Sequence, residues 1–420
     1  MIYNLSNNEN FQKAMDESSN IITFKFCKNN YVTRNNQKYR VIRYDKNYLS
    51  HDLVSTQGLF RSVIVNQDKR VVCFAPPKSY RFHSFLEKYP DLINTDGIVA
   101  EEFVEGTMVN VFWDPSASLS GCWEIATRNS VGGEVKFFQT QHAKTFREMF
   151  MEAANDNNLD INNLNKNYCY SFVLQHPENR IVVPFRENKL YLTSVYEICN
   201  TENGTVTVNC IDLKTIKETE EMKMTNVKYP DIYTDWTSHN DLIDKYCSQN
   251  TSYNILGVVI HNYVTGERTK IRNPVYENVR QLRGNQPKLQ FQYLALRKEG
   301  KVGEYLNYYS EHKKEFSVFR DQMHGFTNAL FQNYISCYIK KQKPLKDFPD
   351  NFKTHMFNIH RIYIDNLRIE KKYVNHAFVI EFVNNLPLTL QMYSLNYAMR
   401  KRNKDVINIK LEEDGIEVSV

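Results

Sequence analysis

Residues 103–107 read Phe-Val-Glu-Gly-Thr, and the apolar run Val109–Trp113 follows almost at once. Because Val109–Trp113 is short and rich in β-branched and aromatic residues, it predicts a strand. The turn-forming sequence Asp114-Pro115-Ser116 comes directly after it and predicts the end of that strand. A glutamate and a glycine therefore stand immediately before a predicted strand.

Similar short apolar runs occur on both sides of this stretch. They predict further strands at Val63–Val65, Val71–Phe74, Tyr168–Val173, Leu190–Val195 and Ile255–Ile260. One helix is predicted over Gln141–Ala154, where apolar residues recur at helical spacing. Past about residue 300 the spacing becomes helical throughout, for example at Phe316, Met323 and Leu330. We therefore expect an α+β domain over residues 1–300, a helical domain over 301–400 and a charged tail over 401–420.

Composition sets broad limits on the class of protein. With 420 residues, 42% of them hydrophobic, the chain is long enough for two or three domains with real cores. The net charge of +5 permits a nucleic-acid partner without requiring one. Eight cysteines, none in a C-x-x-C pair, are typical of reduced buried thiols. No apolar run approaches the ~20 residues that span a bilayer, so we expect no membrane partner and a cytoplasmic location.

Four further segments form an ordered set with residues 103–107. Residues 127–133 read Thr-Arg-Asn-Ser-Val-Gly-Gly, and residues 177–182 read Pro-Glu-Asn-Arg-Ile-Val. Residues 255–260 read Ile-Leu-Gly-Val-Val-Ile, and residues 269–273 read Thr-Lys-Ile-Arg-Asn. The two cations of the last segment are spaced two residues apart, which on a strand places both side chains on one face.

Taken in chain order, these segments resemble the phage-type (T-even) RNA ligases of the covalent nucleotidyltransferase superfamily, which also contains mRNA-capping enzymes. The resemblance covers roughly residues 55–300. It implies an α+β nucleotidyltransferase domain of the ATP-grasp-like ligase adenylation type with antiparallel sheets, followed by a smaller all-helical C-terminal domain. In that family, the lysine of a Lys-x-Asp/Glu-Gly element attacks the α-phosphate of ATP, and further glutamates and basic residues hold the ribose, metal and phosphates.

Three positions depart from the family pattern. Phe103 stands where the family has its lysine, and a phenyl ring offers no lone pair for attack on phosphorus. Ser171 replaces a strand glutamate, and Leu256 replaces the glutamate that helps to place the metal. Leucine has none of the oxygen atoms that magnesium requires. The resemblance therefore implies a catalytically degenerate member with no catalytic residue and no metal ligand at these positions.

The basic positions of the family pattern are retained, and basic and aromatic residues alternate from Arg268 to Tyr293. Such a mixture suits the binding of phosphates and the stacking of bases. A solvent-exposed charged face above aromatic core residues would give the same sequence pattern. The turn arginine Arg128 is open to the same two readings. The expected nucleotide- or RNA-binding residues are Phe103, Glu105, Gly106, Arg128, Arg180, Lys270, Arg272, Arg280 and Arg283.

The favoured interpretation is an inactive RNA-ligase-like protein that binds RNA or a nucleotide, with an mRNA 5′ end or cap stacked on Phe103 as one form of ligand. An active ATP-dependent RNA ligase in RNA repair is an alternative, and it would need a substitute lysine such as Lys78 or Lys136. A structural subunit of a viral RNA-processing assembly is another, with a protein partner held by the C-terminal helices. We expect no required cofactor, ATP, GTP or a cap as ligand, magnesium only in an active enzyme, and, for a viral protein, the host cytoplasm.

Overall fold

The computed structural model describes residues 1–8, 11–15, 26–33, 35–136 and 143–400. The predicted charged tail, residues 401–420, lies outside the described residues, as do the first two residues of the helix predicted from Gln141. The chain divides into two compact units, Met1–Gln281 and Leu282–Val420. No helix of the described residues combines the length and apolar character that crossing a membrane requires.

The first unit contains the strands. In chain order they are β1 (Ile2–Asn4), β2 (Phe26–Val32), β3 (Lys38–Tyr44), β4 (Val63–Val65), β5 (Val71–Phe74), β6 (Ile98–Glu102), β7 (Thr107–Asp114), β8 (Cys122–Thr127), β9 (Tyr168–Gln175), β10 (Lys189–Asn200), β11 (Val206–Ile211), β12 (Ile232–Tyr233), β13 (Gly257–Asn262) and β14 (Arg268–Arg272). Each strand predicted from the sequence is found, and β4 and β5 have the predicted bounds.

These strands form three antiparallel sheets in the described residues. The first has the order β1-β11-β10-β9-β7-β8, the second β12-β6-β13-β14 and the third β2-β3-β4-β5. One face of the first sheet carries the largest core, in which Phe150 and Phe172 are fully buried. Tyr39 of the third sheet packs edge-on against Phe112 of the first, within a second buried cluster.

The chain also forms thirteen α-helices within the described residues. They are α1 (Phe11–Met15), α2 (Phe82–Lys88), α3 (Phe146–Asp156), α4 (Leu213–Lys217), α5 (Glu220–Lys223), α6 (His239–Tyr246), α7 (Pro274–Arg283), α8 (Leu289–Lys298), α9 (Val302–Tyr308), α10 (Lys313–Tyr334), α11 (Asp350–Ile362), α12 (His376–Asn385) and α13 (Leu388–Leu395). The helix predicted from Gln141 begins later, at Phe146, because Thr145 and Glu148 form a capping box that starts it there.

The second unit is helical throughout its described residues, 282–400. The apolar spacing around Phe316 and Leu330 corresponds to α10, whose buried face includes both residues. The predicted α+β class, with antiparallel sheets and a helical C-terminal region, is confirmed. The division between the units lies before Leu282, whereas the sequence places it near residue 300; α8 contacts α9 and α10 and thus belongs to the helical unit.

Candidate nucleotide-binding site

Phe103 lies on the short connection between β6 of the second sheet and β7 of the first. Its backbone N–H donates to the carbonyl oxygen of Gly257, with an N–O distance of 3.2 Å. The side chain lines a cavity of about 130 Å³ within the first unit. The cavity is lined by Arg61, Pro76, Glu101, Glu102, Phe103, Val104, Gly106, Met108, Val173, Thr193, Pro230, Val259, His261, Arg268 and Lys270. We call it the cationic cavity.

Two cations of β14 lie beside the Phe103 ring. The Lys270 Nζ atom is 4.3 Å from the ring centroid, and the guanidinium carbon of Arg272 is 5.9 Å from it. This agrees with the two-residue spacing, which places alternate side chains of a strand on one face. Both contacts are within cation–π range, so the ring's electron-rich face holds the lysine amine in place.

Three more cations lie close to this pair. The Arg268 guanidinium donates to the carbonyl oxygen of Pro77 at 3.2 and 2.5 Å, and the Tyr80 N–H donates to the Arg268 carbonyl at 2.8 Å. These bonds hold the segment that carries Lys78 alongside β14. The pKa of Lys78 is lowered by burial and next by the guanidinium group of Arg61.

Positive charges this close together lower one another's pKa values. Burial lowers the pKa of Lys270 well below its usual value, and the neighbouring Arg268 and Arg61 lower it further. The pKa of Arg61 is lowered to about 9, first by burial and then by Arg268 and Arg128. A guanidinium stays protonated at neutral pH even at that value, so Arg61 keeps its positive charge in the cavity.

Acidic residues compensate these cations only in part. Glu101 lines the cavity, but its carboxylate accepts from the Tyr263 hydroxyl at 2.5 Å and lies 3.5 Å from the His261 ring. Within the ranges that the structure describes, no carboxylate forms an ion pair with Arg61, Lys78, Arg268 or Lys270. An anion that enters the cavity therefore replaces mutual repulsion with attraction.

Gly106 closes the cavity on the side of the first sheet. Its φ angle is 147°, and a Cβ atom there would lie 2.5 Å from the carbonyl oxygen of Leu174 on β9. Only glycine permits such a close approach of two backbones. The glycine of the Glu-Gly pair is thus required by the local fold, independently of any ligand.

Glu105 has a different position from the one its motif predicts. Its carboxylate is buried and accepts backbone N–H bonds from Val182, at 2.7 Å, and from Val183, at 3.1 and 3.2 Å. It is not among the residues that line the cationic cavity. Burial raises its pKa to about 7, against the lowering effect of those amide bonds. In this structure Glu105 ties the Ile-Val part of residues 177–182 to the start of β7.

Two of the expected arginines contact the protein itself. Arg128 lies over the Tyr44 ring, with its guanidinium carbon 5.5 Å from the centroid. The Arg180 Nε donates to the carbonyl oxygen of Val182 at 2.9 Å. Neither lines the cationic cavity, although Arg128 is close enough to lower the pKa of Arg61.

Of the remaining expected arginines, Arg272 lies on β14 and two lie on α7. Arg280 forms an ion pair with Glu277 at 2.7 Å, and the same carboxylate group meets Arg272 at 3.3 Å. Arg283 is buried and falls in the second unit. The basic stretch of the sequence is therefore divided between the strand β14 and the helix α7.

Ser171 and Leu256 stand at the two positions where the resemblance expects glutamates, and both form hydrogen bonds within the protein. Ser171 is fully buried on β9, and its hydroxyl donates to the Asn110 Oδ1 at 2.8 Å. Leu256 is half-buried, and its carbonyl accepts from the Asn273 N–H at 3.0 Å. Neither side chain supplies a carboxylate at these positions, and no group of three His, Cys, Asp or Glu side chains suited to a metal occurs in the described part of the chain.

Sequence reasoning missed Arg61 and His261 as lining residues. His261 stands two residues beyond Val259 on β13, so strand alternation from a known lining residue could have found it. Arg61 follows a short turn and precedes β4, and no periodic pattern marks it. Of the candidate substitute lysines, Lys78 lies near the arginines, whereas Lys136 is exposed and is not among the lining residues.

A larger cavity of about 980 Å³ adjoins the first. The two cavities share Glu101 and Pro230 in their walls. The lining of the larger one includes three tyrosines, three lysines and three acidic residues: Tyr191, Tyr229, Tyr263, Lys214, Lys217, Lys228, Glu101, Asp212 and Asp231. We call it the tyrosine cavity. Its volume lies within the range of ~300–1,000 Å³ that is usual for small-molecule sites, whereas the cationic cavity holds no more than one phosphate-sized group.

Part of the sequence is similar to that of a known RNA ligase. The chain is 30% identical over 142 residues to an RNA ligase from Rhodothermus phage RM378. It is RNA-ligase-like over that part. The aligned residues make up 32% of this chain and only 30% of the phage protein, so the likeness spans about a third of either length. No family model matches the chain.

Solved structures with some similarity are also RNA ligases. An archaeal ATP-dependent RNA ligase gives a TM-score of 0.37 at 10% identity, over 85% of this chain and 82% of that one. A mutant Naegleria gruberi RNA ligase with ATP and Mn gives 0.34 at 10% identity, over 49% of this chain and 58% of that one. Scores this low do not by themselves establish a common fold.

Proposed function

We propose that this protein is a catalytically inactive relative of the T-even RNA ligases that binds RNA or a nucleotide by its phosphates. The observation that carries the proposal is the Phe103 ring, 4.3 Å from the Lys270 amine, at the position where the resemblance expects a nucleophilic lysine. The ring cannot attack phosphorus. The cations around it attract phosphate whether or not any bond is made.

Different parts of the ligand occupy the two cavities. One phosphate or terminal group enters the cationic cavity, whose volume of about 130 Å³ excludes a whole nucleotide. The base and ribose then extend past Glu101 and Pro230 into the tyrosine cavity, where a ring such as Tyr229 offers a stacking surface.

A methylated cap is the less favoured form of this ligand. The methylated guanine of a cap is itself cationic, and it would have to stack on a Phe103 face that already lies near Lys270 and Arg272. Like charges in a partly buried site repel strongly. A phosphate end without a methylated guanine avoids this repulsion.

Binding and chemistry are tested together with ATP and GTP labelled at the α-phosphate. We expect retention of nucleotide in equilibrium binding and no labelled protein band after denaturing electrophoresis with a divalent metal. Lys270→Gln should weaken binding at least tenfold. Lys166→Gln is the matched control, since Lys166 also lies over a ring, 4.0 Å from Trp113, but does not line the cavity. Equal affinities of the two variants would contradict the proposal.

One observation favours a second candidate, an active ligase with a relocated nucleophile. Lys270 itself, with its pKa lowered well below the usual value, holds an amine beside the ring at the family's lysine position. Its nitrogen would bond to the α-phosphorus, the bond from that phosphorus to the pyrophosphate oxygen would break, and the amine proton would pass to solvent. A labelled band that Lys270→Arg abolishes and Lys78→Arg keeps would establish this candidate in place of the first.

A further inference from the structure

The two longest helices of the second unit, α10 and α11, run parallel. Phe326 of α10 stacks on Phe352 of α11, with centroids 5.2 Å apart. Eight residues further along each helix, the Tyr334 hydroxyl meets the His360 Nδ1 at 3.3 Å. The C-terminal ends of both helices therefore lie side by side, at one end of the pair.

Both helices end in the same unusual way. Each passes into a π-helical turn, Ile335–Ile339 in one case and Tyr363–Leu367 in the other. Each turn is followed by a lysine in the left-handed region, Lys341 with φ 52° and Lys371 with φ 55°. A non-glycine residue there costs about 1 kcal/mol, and single π turns occur often at functional sites.

Aromatic rings cover the same end. Tyr338 stacks on His360 with centroids 3.8 Å apart and an interplanar angle of 14°, and Tyr363 lies 5.9 Å beyond at 26°. All three side chains are half-buried, so each ring is partly open to solvent. Stacked, partly exposed planar groups are the surface on which a nucleic-acid base can continue the stack.

Basic residues follow both π turns in the sequence. Lys340 and Lys341 come directly after Ile339, and Lys371 follows Leu367 by four residues. Among the described residues, Lys340, Lys341 and Lys371 form no ion pair with a carboxylate. Favourable interaction with the helix dipoles can account for basic residues near the C-terminal ends of helices, but it does not account for the partly exposed ring stack at this end.

We propose that this helix-end surface, formed by Tyr338, His360, Tyr363, Lys340, Lys341 and Lys371, binds single-stranded RNA. The rings stack on bases, and the lysines contact the phosphates on either side. The site goes beyond the proposed function, since it lies wholly in the second unit and uses no residue of the cationic cavity. RNA fits better than an acidic peptide, because a peptide carboxylate would use the lysines and leave the stacked rings unused.

The test uses the full chain and a fluorescent 12-nucleotide RNA without terminal phosphate, measured by anisotropy over a range of salt concentrations. Lys340→Glu with Lys341→Glu should weaken binding at least tenfold and reduce the salt slope by about 1.4, at ~0.7 for each lost phosphate contact. Tyr338→Ala should weaken binding roughly 5- to 150-fold, from ~1–3 kcal/mol of stacking, and leave the slope unchanged.

The matched control is Lys313→Glu with Lys314→Glu, two exposed lysines at the other end of α10. It changes the net charge by the same amount and should leave RNA affinity within about twofold. Equal losses in both double variants, or a poly-glutamate peptide that binds as tightly as RNA, would overturn the proposal. ATP binding measured on the same variants should not change, so failure here remains distinguishable from failure of the cationic cavity.

Discussion

The Lys270 amine lies 4.3 Å from the centre of the Phe103 ring, although the two residues belong to distant parts of the chain. Sheet order brings them together. β6 pairs with β13 and β13 pairs with β14, so the residue that follows β6 lies two strands from Lys270. The ring thereby occupies the space that faces a cluster of cations, and this arrangement makes phosphate binding testable at individual residues.

The Phe103 ring should contribute to affinity by itself. Phe103→Ala removes the cation–π contact that orients Lys270, so we expect ATP and 5′-phosphorylated RNA to bind about 2- to 30-fold more weakly, from ~0.5–2 kcal/mol. Phe103→Leu keeps much of the side-chain volume but has no aromatic ring, so it should lose a similar amount of affinity. Phe103→Tyr keeps an aromatic ring and should not lose affinity. Isothermal titration calorimetry measures all three. Wild-type affinity in Phe103→Ala would exclude a role for the ring.

Nucleotide affinity should depend on pH through Lys270. Its pKa is lowered well below the usual value, mainly by burial, and only the protonated amine attracts phosphate. Affinity should therefore fall as pH rises through this lowered pKa. Arg61→Gln removes a neighbouring cation and should move the fall to higher pH, while Lys270→Arg should abolish it. If the affinity of Lys270→Arg falls with rising pH as the wild-type affinity does, the titrating group is not Lys270.

Stability should depend on pH through Glu105. Burial raises its pKa in the folded protein from 4.5 to about 7, so the folded state holds this proton more tightly than the unfolded chain. The resulting stabilisation is complete below about pH 4.5 and is lost as pH rises through 7, by on the order of 3 kcal/mol. Urea unfolding of wild type and Glu105→Gln at several pH values isolates this difference. Parallel stability curves for the two proteins would refute the assignment.

Two glycines should respond to alanine in opposite directions. A Cβ atom at Gly257, where φ is 137°, would lie 2.1 Å from the Ile271 carbonyl oxygen on β14. Gly257→Ala should therefore destabilise the first unit by more than about 2 kcal/mol. Gly325 lies within α10 with open space around its Cα, and Gly325→Ala should stabilise by about 0.5–1 kcal/mol. Thermal unfolding of both variants provides the measurement.

The local sequence pattern was sufficient to predict the strands, but it did not predict where every element begins and ends. Val63–Val65 and Val71–Phe74 were predicted with their observed bounds, because β-branched runs between turn residues leave little choice. The start of α3 was predicted too early, since the capping box of Thr145 and Glu148 outweighs the apolar spacing that leads into it.

The residues that meet in the cationic cavity were predictable only where they lie close together in the chain. Lys270 and Arg272 share a strand, so their spacing placed them on one face. Glu105 was expected at the ligand and instead binds the backbone of Val182 and Val183, a choice that depends on where a segment far along the chain folds back. Arg61 enters the cavity from the segment just before β4, and no local pattern could predict this.

The sequence by itself determined that the side chains of Phe103, Ser171 and Leu256 carry no amine and no carboxylate in any conformation. The tertiary structure decided which charges meet. Arg61 comes from one segment and the β14 residues Arg268 and Lys270 from another, and the folding of the first unit brings the two segments together across a distance along the chain that no periodicity records. Electrostatic attraction for a phosphate depends on this convergence in space.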